Sequence, residues 1–208
     1  MKVSMIGLGK LGLPVAEVMS EQHTVKGYDT DPTIKNDKIQ ICNSLFNAVN
    51  EAEIIFIAVP TPHDPAYGGE APSSELPTKD FDYQYLKKTL THLVEYAPKD
   101  AMIVNISTVL PGTLRPMIIE LGIDDQFIYN PYLIAMGTVT EDFLAPDIMM
   151  LGFDKWPTEE NKTKADKLVE FYKTVQTKRT PHTTLGTWEE AESMKIFYNT
   201  FISTKVAL

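Results

Sequence analysis

The sequence predicts an α/β fold, a doubly wound and mostly parallel sheet with helices on both faces and a long C-terminal helix. Three observations predict it. Apolar runs of strand length alternate with segments of helical period along the chain, the pattern of a parallel sheet covered on both sides. Two of those runs, Ile54 to Val59 and Ala101 to Ile106, are near-continuous in hydrophobicity, as in strands buried on both faces. The first run, Val3 to Ile6, leads into Gly7-Leu8-Gly9-Lys10-Leu11-Gly12-Leu13-Pro14, three glycines spaced G-x-G-x-x-G.

Each part of that opening stretch has a task in a dinucleotide site, which makes the predicted fold Rossmann-type. Gly7 makes the tight turn off the strand, Gly9 lets the backbone approach a pyrophosphate, and Gly12 lets the helix pack close to the sheet. Lys10 and Leu11 lie between the second and third glycines, where the free N–H groups of the helix N-terminus meet phosphate. A second strand candidate, Val25 to Tyr28, ends on Asp29, about 20 residues past the turn. There a carboxylate accepts bonds from the adenosine ribose hydroxyls. Asp29 would repel a 2′-phosphate, and Thr30-Asp31-Pro32 brings no arginine, so the cofactor predicted is NAD rather than NADP.

The chain has 208 residues, 43% hydrophobic and 23% charged, as in ordinary globular domains. A formal charge of −9 argues against binding nucleic acid or an anionic membrane. Cys42 is the single cysteine, so no internal disulfide forms and a reducing, cytoplasmic setting is expected. No apolar run approaches the roughly 20 residues of a membrane span. His23, His63, His92 and His182 show no metal-ligand spacing with Cys, Asp or Glu, so no metal site is expected and all four read as surface or loop residues.

The elements follow in order. A helix runs from Pro14 to about Glu21, a short strand spans Ile39 to Ile41, and a short helix holds Leu45 and Val49. The strand from Ile54 ends at Pro60-Thr61-Pro62, which continues neither a central strand nor a helix. Residues 63–80, with five Pro and Gly, form a long irregular loop, a length usually tied to function or disorder. Phe81 to Ala97 has helical period through Leu86, Leu90, Leu93 and Val94. Phe81, Tyr83 and Tyr85 are read as its core and rim. After the strand ending at Ile106 come Ser107-Thr108-Val109-Leu110-Pro111-Gly112 and a helix from Thr113 to Leu121. Phe127 to Tyr129 and Ile148 to Gly152 are strands, Lys162 to Thr174 is an amphipathic helix, and Val175 to Lys178 is an edge strand. Trp188 packs the last helix, Glu189 to Ala207, onto the body. Polar features collect where strands end, at Gly7–Gly12, Asp29, Val59-Pro60-Thr61, Ser107-Thr108 and Asn130, the edge at which open α/β sheets bind ligands.

Gly-Leu-Gly-Lys-Leu-Gly-Leu-Pro (7–14), Val-Pro-Thr-Pro (59–62), Ser-Thr-Val-Leu-Pro-Gly-Thr (107–113), Asn-Pro-Tyr-Leu-Ile-Ala-Met-Gly (130–137) and Glu-Ser-Met-Lys-Ile-Phe-Tyr-Asn (192–199) occur in this order. With these motifs the chain resembles, over essentially its whole length, the NAD-binding half of the UDP-glucose/GDP-mannose 6-dehydrogenase family. The resemblance implies oxidation of the C6 alcohol of a nucleotide sugar to a carboxylate with two NAD, by way of an aldehyde and a cysteine thioester. It implies catalytic roles for three residues. Thr108 would sit beside the nicotinamide, Lys195 would stabilise oxygen charge at C6, and Asn199 would add an oriented amide. Lys195 and Asn199 are four apart and share a helix face. Without the resemblance, Lys195 reads as a solvated helix lysine.

Three departures accompany the resemblance. Tyr132 and Met136 stand where the family has glutamates, the first of which activates water for thioester hydrolysis. The segment between Asp29 and Val59 is shorter than the family norm. The cysteine-bearing sugar-nucleotide domain is missing, and Cys42 reads as a packing residue. The expected organisation is therefore an NAD-binding Rossmann-like domain over 1–186. Residues 187–208 would begin a central connecting and dimerisation helix, and the enzyme would be truncated or incomplete at Leu208. Ile196, Phe197, Phe201, Ile202 and Val206 on that helix need cover, which predicts a homo-oligomer through it. A relative of the β-hydroxyacid dehydrogenases and a non-catalytic NAD-binding protein are the other readings open from the sequence.

Overall fold

A computed structural model describes residues 1–68 and 75–207. Eight strands form one sheet: β1 (Lys2–Ile6), β2 (Thr24–Tyr28), β3 (Gln40–Ile41), β4 (Ile54–Ile57), β5 (Met102–Asn105), β6 (Phe127–Tyr129), β7 (Ile148–Phe153) and β8 (His182–Thr187). Their spatial order is β3-β2-β1-β4-β5-β6-β7-β8. Neighbours pair in parallel except β6 and β7. The order reverses beside β1, which places the topological switch point between β1 and β4, where such sheets bind ligands.

Helices α1 (Gly12–Ser20), α2 (Leu45–Val49), α3 (Gln84–Tyr96), α4 (Leu114–Leu121), α5 (Val139–Leu144), α6 (Glu159–Val175) and α7 (Trp188–Ala207) cover the sheet. Two cores result. Ile54 and Phe56 of β4 pack with α1, α5 and α6 on one face, while Ile55 and Ile57 pack with α2, α3, α4 and the start of α7 on the other. All four are fully buried, which is why the strand reads as an unbroken apolar run. Local signals set the helix ends. Ser44 and Thr158 accept N–H bonds from Asn47 and Asn161 at the starts of α2 and α6, and Gly122 closes α4 with φ 64°.

Three expectations need correction. Residues 175–178 are not a strand: Val175 ends α6, whose buried Leu168, Phe171, Tyr172 and Val175 keep helical period. The edge strand is β8, in which Thr183 to Thr187 pair in register with Met149 to Phe153. Its alternation is masked by threonines, since an edge strand has fewer apolar neighbours to satisfy. The unpredicted α5 is only six residues long, too short for periodicity to reveal. It lies in the β6–β7 connection, and the strand after it runs antiparallel to β6. Phe81 and Tyr83 precede α3; Tyr83 packs half-buried against the core and Tyr85 is 54% exposed, so this aromatic group forms a rim rather than helix core. Within the irregular stretch 63–80, a 3-10 turn covers Pro65–Tyr67 with Asp64 accepting from Ala66 N at 2.9 Å. Residues 69–74 of it lie outside the described residues. No described helix is long and apolar enough to cross a membrane.

Candidate functional site

The three glycines are held by three different constraints. Gly7 has φ 91°, donates its N–H to Tyr28 O at 2.9 Å, and a Cβ on it would lie 2.5 Å from Ala58 O. A Cβ on Gly12 would lie 1.9 Å from Gly7 O, so the turn and α1 touch through backbone alone. A Cβ on Gly9 would meet nothing within 4 Å. Its α-carbon faces an open cleft, as close approach by a ligand requires. No side chain caps α1 at Leu11; Leu13 N donates to Gly9 O at 3.2 Å and Pro14 has no N–H, so the N–H groups of Leu11 and Gly12 are the ones left at the helix start to meet an anion.

Asp29 accepts Leu8 N at 2.6 Å on Oδ2 and Asp31 N at 2.9 Å on Oδ1. Its carboxylate thus braces the glycine turn, and each oxygen keeps a lone pair for a further donor.

Opposite the glycine turn, the ends of β4 and β5 are laced together. Ser107 Oγ donates to Val59 O at 2.7 Å, and Thr61 Oγ1 donates to Thr108 O at 2.6 Å. These bonds consume the Ser107 and Thr61 hydroxyl protons and leave Thr108 facing the cleft. The cleft encloses about 1300 Å³, above the roughly 300–1,000 Å³ of pockets for drug-sized ligands. Its lining includes Gln84, Tyr85, Lys88 and His92 of α3, Tyr28 and Asp29 at the end of β2, and Thr108, Tyr132, Ile134, Met136 and Lys195. The α3 wall was not singled out from the sequence, because a polar helix face reads as solvated whether or not it borders a cleft.

Lys195 is 7% exposed. Its Nζ donates to Tyr132 O at 2.8 Å, and burial pushes the ammonium down to about 8. It is therefore not a solvated helix lysine. Asn199, one turn further along α7, is exposed and does not line the cleft. Every other residue singled out above, Gly7, Gly9, Lys10, Leu11, Asp29, Val59, Pro60, Thr61, Ser107 and Thr108, does line it, and Gly12 abuts Gly7 behind the lining.

Tyr132 turns its hydroxyl into the core. The phenol is 2.8 Å from Tyr172 Oη, Tyr172 donates to Asn130 Oδ1 at 2.5 Å, and Asn130 Nδ2 donates to Met150 O at 2.7 Å. Burial raises both phenols well above their ordinary value, so they stay protonated. What Tyr132 presents to Lys195 is its main-chain carbonyl. Among the described residues lining the cleft, Asp29 is the sole carboxylate. Cys42 lies outside the cleft lining, with its thiol pushed up by burial. Among the described residues, no three of His, Cys, Asp and Glu group as metal ligands would.

Sequence reading missed the residues that hold the Thr108 turn. Tyr83 Oη accepts Leu110 N at 3.0 Å and donates to Asp80 at 2.6 Å. Glu192, fully buried, accepts Gly112 N at 2.6 Å and Leu114 N at 2.9 Å. Neither shows a local signal, since each acts on a segment distant in sequence.

A model of the UDP-glucose/GDP-mannose dehydrogenase family, NAD binding domain, matches residues 32–176. A UDP-glucose 6-dehydrogenase of Rickettsia conorii is 28% identical over 99% of this chain and 42% of its own length. A UDP-N-acetyl-D-mannosamine dehydrogenase of Methanocaldococcus jannaschii is 25% identical over 100% of this chain and 49% of its own. Among solved structures, a ternary complex of GDP-mannose dehydrogenase from Pseudomonas aeruginosa superposes with TM-score 0.77 at 23% identity, covering 99% of this chain and 51% of that one. The chain spans less than half the length of the curated relatives it matches.

Proposed function

Because the chain belongs to the UDP-glucose/GDP-mannose dehydrogenase family, with NAD as its cofactor, we propose that it forms the cofactor half of a nucleotide-sugar 6-dehydrogenase. In this reading the substrate is a nucleotide sugar, and the chemistry is oxidation of its C6 alcohol. The observation that supports the reading is that Thr108 and a buried Lys195 line the same cleft as the glycine turn and Asp29.

The residues fit the cofactor. Gly9 leaves space where a pyrophosphate would approach, the uncapped start of α1 supplies N–H donors, and Asp29 keeps lone pairs for ribose hydroxyls. Lys10 adds a positive charge beside the phosphates, and the Val59-Pro60-Thr61 and Ser107-Thr108 turns would flank the nicotinamide. When bound, NAD takes the hydrogen that leaves the alcohol carbon together with its electron pair. The chain's own groups manage the oxygen. Thr108 would orient it by hydrogen bond, and Lys195, half-charged near pH 8, would stabilise its developing charge in a site shielded from water. Asn199, exposed on α7 outside the cleft lining, adds no contact to this pair.

Tyr132, Met136 and Cys42 bear on the second oxidation step. A phenol held protonated in the core is a poor base at neutral pH, Met136 carries no base, and Cys42 lies outside the cleft lining. We expect this chain alone to form no uronic acid from UDP-glucose. Reduction of two NAD per sugar, followed at 340 nm, would overturn that. A non-catalytic NAD-binding role is the second reading, favoured by the buried Tyr132 hydroxyl. Assay of the protein against UDP-glucose, GDP-mannose and UDP-N-acetylmannosamine separates the two. NADH formation that is lost in Lys195→Met supports the enzyme; tight NAD binding with no turnover of any sugar supports the second reading.

A further inference from the structure

Thr108 and Lys195 reach the cleft from elements far apart in the chain, and one side chain joins the segments that carry them. Glu192 stands three residues before Lys195 on α7, less than one helical turn. Its Oε2 accepts Gly112 N at 2.6 Å and its Oε1 accepts Leu114 N at 2.9 Å, in the turn that begins at Thr108 and feeds α4. We propose that Glu192 is a positioning residue that sets the separation of Thr108 and Lys195 across the cleft. The inference rests on the reading of those two residues as the reacting pair.

The arrangement is more than a helix cap. The N-cap position of α4 is Thr113, whose side chain makes no capping bond. A local hydroxyl or carboxylate there would cap the helix equally well. Instead the cap comes from a different element, and its carboxylate is fully buried. Burial raises Glu192, and the two N–H bonds work against that rise; bonds of this charge-assisted kind are the stronger ones. The levers on both sides are short and packed. Val109 and Leu114 are fully buried on the turn, and Trp188 is fully buried at the start of α7. A second link between α4 and α7, the Arg115–Glu189 ion pair, is part exposed and ties the outer edge without touching the turn.

The test uses this chain and needs no turnover. Lys195 is titrated by the pH dependence of its acylation, read by peptide mapping, in wild type, Glu192→Gln, Glu192→Ala and the control Glu189→Gln. Cutting the Glu192 link lets α7 ease away from the turn and admits water to Lys195. The midpoint should then rise from near 8 by about one pH unit or more, toward the ordinary lysine range, in Glu192→Ala and by less in Glu192→Gln. Glu189→Gln should lower the thermal midpoint and leave the Lys195 titration unchanged. An unchanged Lys195 midpoint in folded Glu192 variants, or a lowered one, the direction that loss of a nearby carboxylate charge alone would give, would reduce Glu192 to a cap and overturn the proposal. Should Glu192→Ala fail to fold, Glu192→Gln, which keeps the volume and one acceptor, decides the matter alone. NAD affinity is measured alongside and should fall in Glu192→Ala, because the turn that Glu192 holds begins at Thr108 and would flank the nicotinamide. Absence of NAD binding in the wild type would instead undo the functional reading, with the titration still interpretable.

Discussion

Gly9 and Gly12 sit three residues apart and answer to different demands. Gly12 is required by the fold, since a Cβ would collide with Gly7 O at 1.9 Å. Gly12→Val is expected to destabilise by about 3 kcal/mol or more, by overpacking against backbone that cannot move, and thermal denaturation checks it. Gly9→Val has open space to occupy. It should keep the melting midpoint and weaken NAD by tenfold or more, about 1.4 kcal/mol. Asp29→Ala should weaken NAD similarly and also loosen the turn, because Leu8 N loses its acceptor. Calorimetric titration reads both. Lys195 yields a pH prediction with a definite sign. Its folded value is depressed to about 8 from about 10.5, so the unfolded chain binds more protons between those values, and stability rises with pH across that window. Below pH 8 the full cost of burying the ammonium is present. Lys195→Met should therefore stabilise the chain at pH 7, by roughly 1–3 kcal/mol, with the gain shrinking toward pH 10.5; urea unfolding at several pH values tests it. At this scale the sequence is most legible where backbone rules act locally, as at Gly7, Gly12 and Asp29. It is least legible where a side chain acts at a distance, as with Glu192 and Tyr83, and it gives no sign that the Tyr132 hydroxyl points into the core.

Elements with a full period and two buried faces are plain from sequence. β4 and β5 are recognised because both faces are apolar, and α3 because Leu86, Leu90 and Leu93 repeat at helical spacing. α5 and β8 escape because one is a helix of six residues and the other an edge strand rich in threonine. α7 shows both regimes. Its first turns are fixed by Trp188, which packs edge-on against Phe127 at 5.7 Å and under the Arg115 guanidinium at 5.1 Å. Trp188→Ala should cost about 3–5 kcal/mol, seen as a lowered denaturation midpoint. The later turns expose Phe197 at 73%, Phe201 at 65% and Val206 at 82%. An apolar strip of this kind calls for cover, and a second copy meeting α7 with α7 is expected. Sedimentation velocity over a hundredfold concentration range should show a monomer–dimer shift, lost in Phe197→Glu/Phe201→Glu. A concentration-independent monomer would count against it.

Across the whole molecule, one sheet edge gathers the working parts. β1, β4, β5 and β6 all end there, which places the 130–137 segment after β6 at that edge, and α7, following strands that run the other way, returns Lys195 to the same cleft. The division of labour follows from this topology: backbone and Asp29 on the β1–β2 side suit the adenosine and phosphates, while Thr108 and Lys195 on the β5–α7 side suit the reacting atoms. The strand-end clustering of polar residues made the edge legible in the sequence. The depth at which Lys195 is buried was not, since it depends on Tyr132 and on the seating of α7. If these two halves serve one dinucleotide, a crystal structure of the chain with NAD will show it. The pyrophosphate should lie against Gly9 to Gly12, the adenosine ribose on Asp29 and the nicotinamide between Thr108 and Lys195. A cofactor bound in reverse, or with its nicotinamide against Tyr85 and His92, would contradict it.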